Sequence, residues 1–148
     1  MPQSLSKIYV HLIFSTKGRV ALIPSEMLPD VHAYIAATLA RTDCPALAVG
    51  GTSDHVHVLF VLGKQKSVAA VVEELKRTTS RWLKRKSPET AFFAWQPGYG
   101  AFSVSQSNID AVRRYIDRQD AHHRTRSFNE ELREFCEKYG LDYDPRFW

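Results

Sequence analysis

The chain has 148 residues, of which 44% are hydrophobic and 24% charged, so it is long enough for one domain with a core and has an ordinary composition for a folded protein. No window approaches the roughly 18 consecutive apolar residues of a membrane span, and the amino terminus lacks the features of a secretory signal. We therefore expect a single cytoplasmic domain spanning residues 1–148, whose net charge of +4 is a mild indication of a polyanionic partner.

The first predicted strand is Ile8–Ser15, where alternate residues form an apolar face. The next predicted element is an amphipathic helix. Its apolar residues recur at helical spacing over Leu28–Leu39, with Ser25 as a candidate cap. Pro45 ends this helix, because proline disfavours the helical conformation in the residue before it.

A predicted β-hairpin follows, made of Ala46–Val49, a Gly-Gly-Thr-Ser turn and the strand Ser53–Leu62. His55 and His57 share one face of that strand because side chains alternate between faces. Two neutral imidazoles on a rigid face are suited to binding a divalent metal. An equally good interpretation is that they are polar residues on the wet face of a half-buried strand. His11 of the first strand could approach them, although a lone histidine there is more often a sheet-face hydrogen-bonding residue.

The second half of the chain is predicted to hold two more helices, a strand and a final helix. Ser67 can cap a helix that Pro88 stops, and the strand 101–105 follows a Pro-Gly bend. Ser107 can cap the helix NIDAVRRYIDRQDAHH, on which Tyr115 and Gln119 are four residues apart and lie on one flank. The pattern Ser-x-x-Glu at residues 127–130 predicts a capping box that starts the last helix.

The resulting order, βαββαβ followed by two helices, predicts an α+β fold of the ferredoxin-like type. This fold has an antiparallel sheet with helices on one face, and here two C-terminal helices are added. The first strand and the histidine strand should be neighbours in the middle of the sheet. One sheet face would then show His11, His55 and His57.

Positive charge is concentrated in two segments. Residues 64–86 contain eight basic and two acidic residues, and residues 113–126 contain five arginines and two aspartates. A solvated helix face is the usual meaning of such a run. Two basic segments in so small a domain nevertheless favour a surface that binds nucleic acid.

Three segments, SDHVHVLF, WQPGYGAFSVS and VRRYIDRQ, resemble the HUH-type single-tyrosine transposases of small insertion sequences, together with their relatives associated with repetitive extragenic palindromes. The likeness extends from HLIFSTKGR to the YDPRFW tail. It implies that His55 and His57 bind a divalent metal, Mg²⁺ or Mn²⁺, that Gln119 is its third ligand and that Tyr115 is the nucleophile.

The resemblance also implies a function. Such proteins are dimers that cleave and rejoin single-stranded DNA at element ends, often beside hairpins, through a 5′-phosphotyrosine intermediate. Their tyrosine helix can dock against the histidine strand of the partner subunit. On this hypothesis the DNA backbone is held by basic helix residues, chiefly Lys76, Arg77, Arg81 and Arg114.

Three alternatives stay open at this point. A four-stranded βαββαβ sheet is also the frame of non-catalytic modules that bind single-stranded nucleic acid. A domesticated transposase acting on palindromic repeats would have the same residues. A zinc-dependent hydrolase could use the two histidines of the motif, with Asp54 as its only nearby general base.

Overall fold

The computed structural model describes residues 2–119, 126–144 and 146. Four strands form one antiparallel sheet of order β2-β3-β1-β4. The strands are β1 (Tyr9–Ser15), β2 (Ala46–Thr52), β3 (His55–Val61) and β4 (Gly100–Val104). The helices are α1 (Leu28–Arg41), α2 (Val68–Lys86), α3 (Ile109–Asp117) and α4 (Phe128–Lys138).

This architecture confirms the predicted α+β fold and its central strand pair. β1 pairs with β3 on one side and with β4 on the other, and β2 completes the sheet beside β3. Over the part of the chain that the structure covers, every helix is too short or too polar to cross a lipid bilayer.

Helices cover both faces of the sheet. On one face α1 and α2 pack against the apolar residues of β1 and β3, among them Leu12, Val58 and Phe60. On the other face α3 packs near Leu59 and α4 packs near Ile13. The face that carries the histidines is therefore enclosed by the two C-terminal helices, which removes the interpretation of a wet sheet face.

Two of the four predicted helix caps are confirmed. The side chains of Ser67 and Ser127 accept hydrogen bonds from the backbone of the third residue along, at 3.1 and 3.2 Å. The predictions for Ser25 and Ser107 were wrong, because each lies in a short 3₁₀ turn that precedes its helix. Backbone bonds within those turns satisfy amide groups that a capping side chain would otherwise bind.

The helix that carries Tyr115 is shorter than predicted. α3 ends at Asp117, and Gln119 lies two residues beyond that end. The predicted helix extended through His122 and His123, which lie outside the described residues. The tyrosine and the glutamine nevertheless remain close, because Gln119 Nε2 donates to the backbone oxygen of Tyr115 over 3.4 Å.

A glycine in β2 allows α3 to pack directly on the sheet. A Cβ atom added to Gly50 would lie 2.5 Å from the backbone oxygen of Ile116, closer than real Cβ contacts. Ile116 follows Tyr115 in the chain, so the close contact at Gly50 sets the distance between the tyrosine helix and the histidine face.

Candidate metal centre and nucleophile

Hydrogen bonds hold both β3 histidines in defined orientations. His55 Nδ1 lies 2.7 Å from Asp54 Oδ1 and 3.1 Å from Thr52 Oγ1. His57 Nδ1 lies 2.8 Å from His11 Nε2. Metal-binding histidines commonly use one ring nitrogen in this way and present the other to the ion. Both Nε2 atoms are thus left to face the interior of the site.

His11 confirms the prediction that the first strand would bring a third histidine to this face. Burial lowers the pKa of His11 well below its usual value, and the neighbouring His57 lowers it further. A neutral His11 can accept the Nδ1 proton of His57. His11 Nε2 is already engaged in the contact with His57 Nδ1. His11 therefore orients the His57 ring, and the candidate metal donors are other side chains.

Two side chains from the C-terminal half of the chain contact the Nε2 atoms of His55 and His57. Gln119 Oε1 lies 3.0 Å from His55 Nε2, and Glu131 Oε1 lies 2.7 Å from His57 Nε2 and 3.7 Å from His55 Nε2. All four side chains are buried, with at most 2% exposure. The predicted third ligand, Gln119, therefore reaches the histidine pair, together with a carboxylate from α4.

The spacing of these donor atoms fits a small divalent ion. Neighbouring ligands in an octahedron with metal bonds of about 2.1 Å lie about 3.0 Å apart. The distances here run from 2.7 to 3.7 Å, and the ligand atoms of His55, His57 and Glu131 all lie within 4.8 Å of one another. Imidazole nitrogen with carboxylate and amide oxygen is a donor set that divalent cations accept.

Glu131 is the residue that the sequence interpretation missed. It lies between Phe128 and Phe135 on the face of α4 that packs against the sheet, and it is only 1% exposed. A carboxylate within the apolar stripe of an amphipathic helix is unusual unless it has a buried partner. The position of Glu131 on the apolar face of α4 was the signal that the sequence offered, because the capping box at residues 127–130 had already located this helix.

Tyr115 lies beside the histidines of its own chain. Its ring centroid is 5.7 Å from that of His57, and its hydroxyl donates a hydrogen bond to Glu131 Oε2. Burial raises the pKa of Tyr115, and the hydrogen bond to Glu131 raises it further. Arg126 Nη2 lies 3.5 Å from the hydroxyl oxygen, where its positive charge lowers the pKa by a smaller amount.

The predicted DNA-binding residues fall on two different surfaces. Lys76, Arg77 and Arg81 belong to α2, on the sheet face opposite the histidines, whereas Arg114 is exposed on α3 next to Tyr115. The Lys76 ammonium donates to the backbone oxygen of Gln96 at 2.8 Å and also to that of Gly98. Burial lowers the pKa of Lys76 to about 8.

The other two DNA-binding candidates on α2 differ in their contacts and exposure. Arg77 pairs with Glu73 and Glu74 on its own helix. Arg81 is exposed. The assignment of these residues to DNA binding stays a prediction.

Comparisons with known proteins bear on the family and the fold of this chain. The family model described as "Transposase IS200 like" matches residues 4–119. A crystal structure of a protein from Deinococcus radiodurans R1, assigned as a transposase, is 23% identical over 80% of this chain and 98% of that chain, with a TM-score of 0.62. A REP-associated tyrosine transposase bound to a REP hairpin is 12% identical over 83% of this chain and 73% of that one, with a TM-score of 0.58. No curated protein shows a significant match.

At these identities the two solved structures support the fold. The family match covers most of the chain and includes the histidine pair, Tyr115 and Gln119. The chain belongs to the family of IS200-like transposases.

Proposed function

We propose that this protein cleaves and rejoins single-stranded DNA, with Tyr115 as the nucleophile and a divalent metal bound beside it. One observation carries the proposal. The carboxylate of Glu131 contacts His57 Nε2 through one oxygen and the Tyr115 hydroxyl through the other. A nucleophile and a set of metal donors therefore converge on one buried group.

The chemical step follows from the tyrosine. The phenolic oxygen of Tyr115 attacks the scissile phosphorus, the bond from phosphorus to the 3′ oxygen breaks, and that oxygen leaves and gains a proton. The products are a 5′-phosphotyrosine and a free 3′ hydroxyl. Since the phosphodiester energy is kept in the new bond, a 3′ hydroxyl can reverse the step and join another end without ATP.

Ionisation of the phenol needs assistance, because burial and Glu131 raise its pKa. Glu131 already accepts the hydrogen bond of the Tyr115 hydroxyl, so it is in position to receive the proton as the oxygen attacks. Arg126 lies on the other side of that oxygen, where a guanidinium can bind phosphate oxygens.

The metal is proposed to be held by His55, His57 and Gln119, and Glu131 adds a fourth donor. When bound, Mg²⁺ or Mn²⁺ would act as a Lewis acid that polarises the scissile phosphate. The protein itself orients the two imidazole rings. Asp54 and His11 contact their Nδ1 atoms, so the Nε2 donor atoms need little rearrangement to bind the ion.

We further propose single-stranded DNA with hairpin-forming ends as the substrate, acted on by a homodimer. Support for the hairpin comes from the REP-associated tyrosine transposase, which was solved with one bound. The basic residues of α2 and Arg114 on α3 are the proposed backbone contacts, and such contacts should weaken as salt rises.

The test is the covalent adduct. The protein is incubated with Mn²⁺ and single-stranded oligonucleotides copied from the DNA that flanks its own reading frame, and the products are analysed by denaturing gel and by mass spectrometry. A DNA adduct on the peptide containing Tyr115 is expected, and Tyr115→Phe should abolish it. Tyr34→Phe is the matched control, since Tyr34 stacks on Trp82, a residue of α2 on the other side of the sheet.

Two results would contradict the proposal. An adduct that persists in Tyr115→Phe would assign the nucleophile to another residue. Metal-independent binding of the oligonucleotides, with no adduct for any of them, would favour the non-catalytic binding module instead.

A further inference from the structure

A cleft opens beside the nucleophile, between β4, α3 and α4. It has a volume of about 380 Å³, and its lining includes Ala111, Val112, Tyr115 and Phe135. Pockets for small ligands run from roughly 300 to 1,000 Å³, so the space is sufficient for one nucleotide and too small for a duplex. The lining does not include the metal donors of β3, so the cleft adjoins the metal centre as a separate compartment.

The floor of the cleft is aromatic. Phe135 is partly exposed, and its ring lies edge-on to Tyr115 and to His11, at centroid distances of 5.8 and 5.1 Å. Proteins that bind unpaired DNA commonly stack bases on such rings, because every base offers a flat π face. A base placed here would lie next to the hydroxyl that attacks the phosphate.

Asn108 supplies a polar group at the rim. It precedes α3 as the N-cap residue, a position where asparagine normally bonds to the first turn of the helix. Here its side chain makes no capping hydrogen bond, and the residue is exposed where it lines the cleft. An amide presents a donor and an acceptor side by side, which matches the N6 and N7 positions of adenine.

The charges around the opening suit a phosphate. Arg126 and Lys138 line the cleft together with Glu134, which forms an ion pair with Arg126. Arg126 also lies 3.5 Å from the Tyr115 hydroxyl, so a nucleotide in the cleft would have its phosphate near both groups.

We propose that this cleft receives the base of one unpaired nucleotide next to the scissile phosphate, with Phe135 under the base and Asn108 at its polar edge. The choice of DNA as ligand rests on the proposed function. The cleft then determines which base is tolerated beside the cleavage point, and adenine is the base that the asparagine amide fits best.

The first experiment asks whether a nucleotide occupies the cleft. Metal-free protein is titrated with each of the four deoxynucleoside 5′-monophosphates, and backbone amide shifts are followed by NMR. Shifts centred on Ala111, Val112 and Phe135 are expected, with the tightest binding for dAMP. Shifts centred elsewhere, or equal affinities for all four nucleotides, would overturn the proposal.

The second experiment fills the cleft. Ala111 is exposed on α3, one turn before Tyr115, so Ala111→Trp places a large ring in the space. We expect at least tenfold weaker binding of dAMP. Ala69→Trp, at an exposed position of α2, is the matched control and should bind as the wild type does. Equal binding by both variants would contradict the proposal.

The third experiment changes the polar edge. Asn108→Ala should weaken dAMP binding by roughly fivefold or more, and Asn108→Asp, which lacks the donor, should remove the preference for adenine. A preference that survives both changes would show that Asn108 does not contact the base.

These titrations require neither metal nor cleavage. Nucleotide binding in these titrations, combined with no DNA adduct in the Mn²⁺ assay described above, would refute the proposed function and leave the cleft assignment standing. An adduct in that assay, combined with no nucleotide in the cleft, would refute the cleft assignment and leave the proposed function standing.

Discussion

The two faces of the sheet are built from the same strands and serve different purposes. On the face covered by α1 and α2, β1 and β3 contribute apolar side chains such as Leu12 and Phe60. On the face covered by α3 and α4, the same strands contribute His11, His55 and His57. His11 bonds to His57, and the two β3 histidines contact the buried side chains of Gln119 and Glu131. The first face supplies hydrophobic stabilisation, whereas the second buries groups that are costly unless each has a partner.

This difference shows how a protein of this size accommodates a cluster of buried polar side chains. A buried carboxylate and three buried histidines reduce stability relative to an apolar layer. The apolar face compensates through ordinary core packing, and the sheet that this packing holds in place fixes the positions of the histidines on its other side. Substitutions on the two faces should therefore have separable effects.

The largest effect on stability is expected from Phe60→Ala. Phe60 is fully buried on β3, on the opposite face from His57. Removing its ring should lower the free energy of unfolding by roughly 3–5 kcal/mol, because the packed surroundings collapse only partly into the cavity. Urea denaturation measures the loss, and calorimetric titration with Mn²⁺ below the transition should show near-normal affinity. A large loss of affinity in the folded variant would refute the separation of the faces.

On the other face, His57→Ala should act mainly on the metal. It removes one donor atom and leaves the Glu131 carboxylate without its 2.7 Å partner. We expect at least a 100-fold loss of Mn²⁺ affinity, equivalent to about 2.7 kcal/mol or more. Calorimetric titration checks this value. Unchanged affinity would show that the ion binds elsewhere.

Glu131→Gln tests the donor that the sequence interpretation missed. The amide preserves the shape of the side chain but removes the charge, so Mn²⁺ affinity should fall by roughly 10- to 100-fold. Glu130→Gln is the matched control, because Glu130 is the exposed neighbour on α4. If both variants bind Mn²⁺ as tightly as the wild type, Glu131 is not a ligand.

The smallest effect is expected from Arg81→Ala on the outer surface of α2. Arg81 is exposed, so stability should change by less than about 0.5 kcal/mol. If α2 contacts the DNA backbone, binding of single-stranded DNA should weaken for all sequences alike, and its dependence on salt should become shallower. Fluorescence anisotropy at several salt concentrations measures both. Identical curves for variant and wild type would place the DNA on the histidine side alone.

Several features of the site were predictable because they depend on spacing within one element. The alternation of β3 places His55 and His57 on one face. The separation of four residues predicts that Gln119 lies near Tyr115, and the two remain in contact although α3 ends at Asp117. The capping serines at the starts of α2 and α4 were also predictable from the sequence, since a capping side chain bonds to the backbone of its own helix. The caps at Ser25 and Ser107 failed because short 3₁₀ turns compete for the same amides.

The sequence by itself determined the order of elements, the shared face of the two histidines and the pairing of a tyrosine with a glutamine. Only the tertiary structure decided that this face is buried, that His11 orients His57, and that Glu131 connects the histidines to Tyr115. The physical reason is that periodicity is a local property of the backbone. Contacts between β1, β3, α3 and α4 arise from packing, as at Gly50, where the absence of a Cβ atom sets how closely the tyrosine helix approaches the sheet.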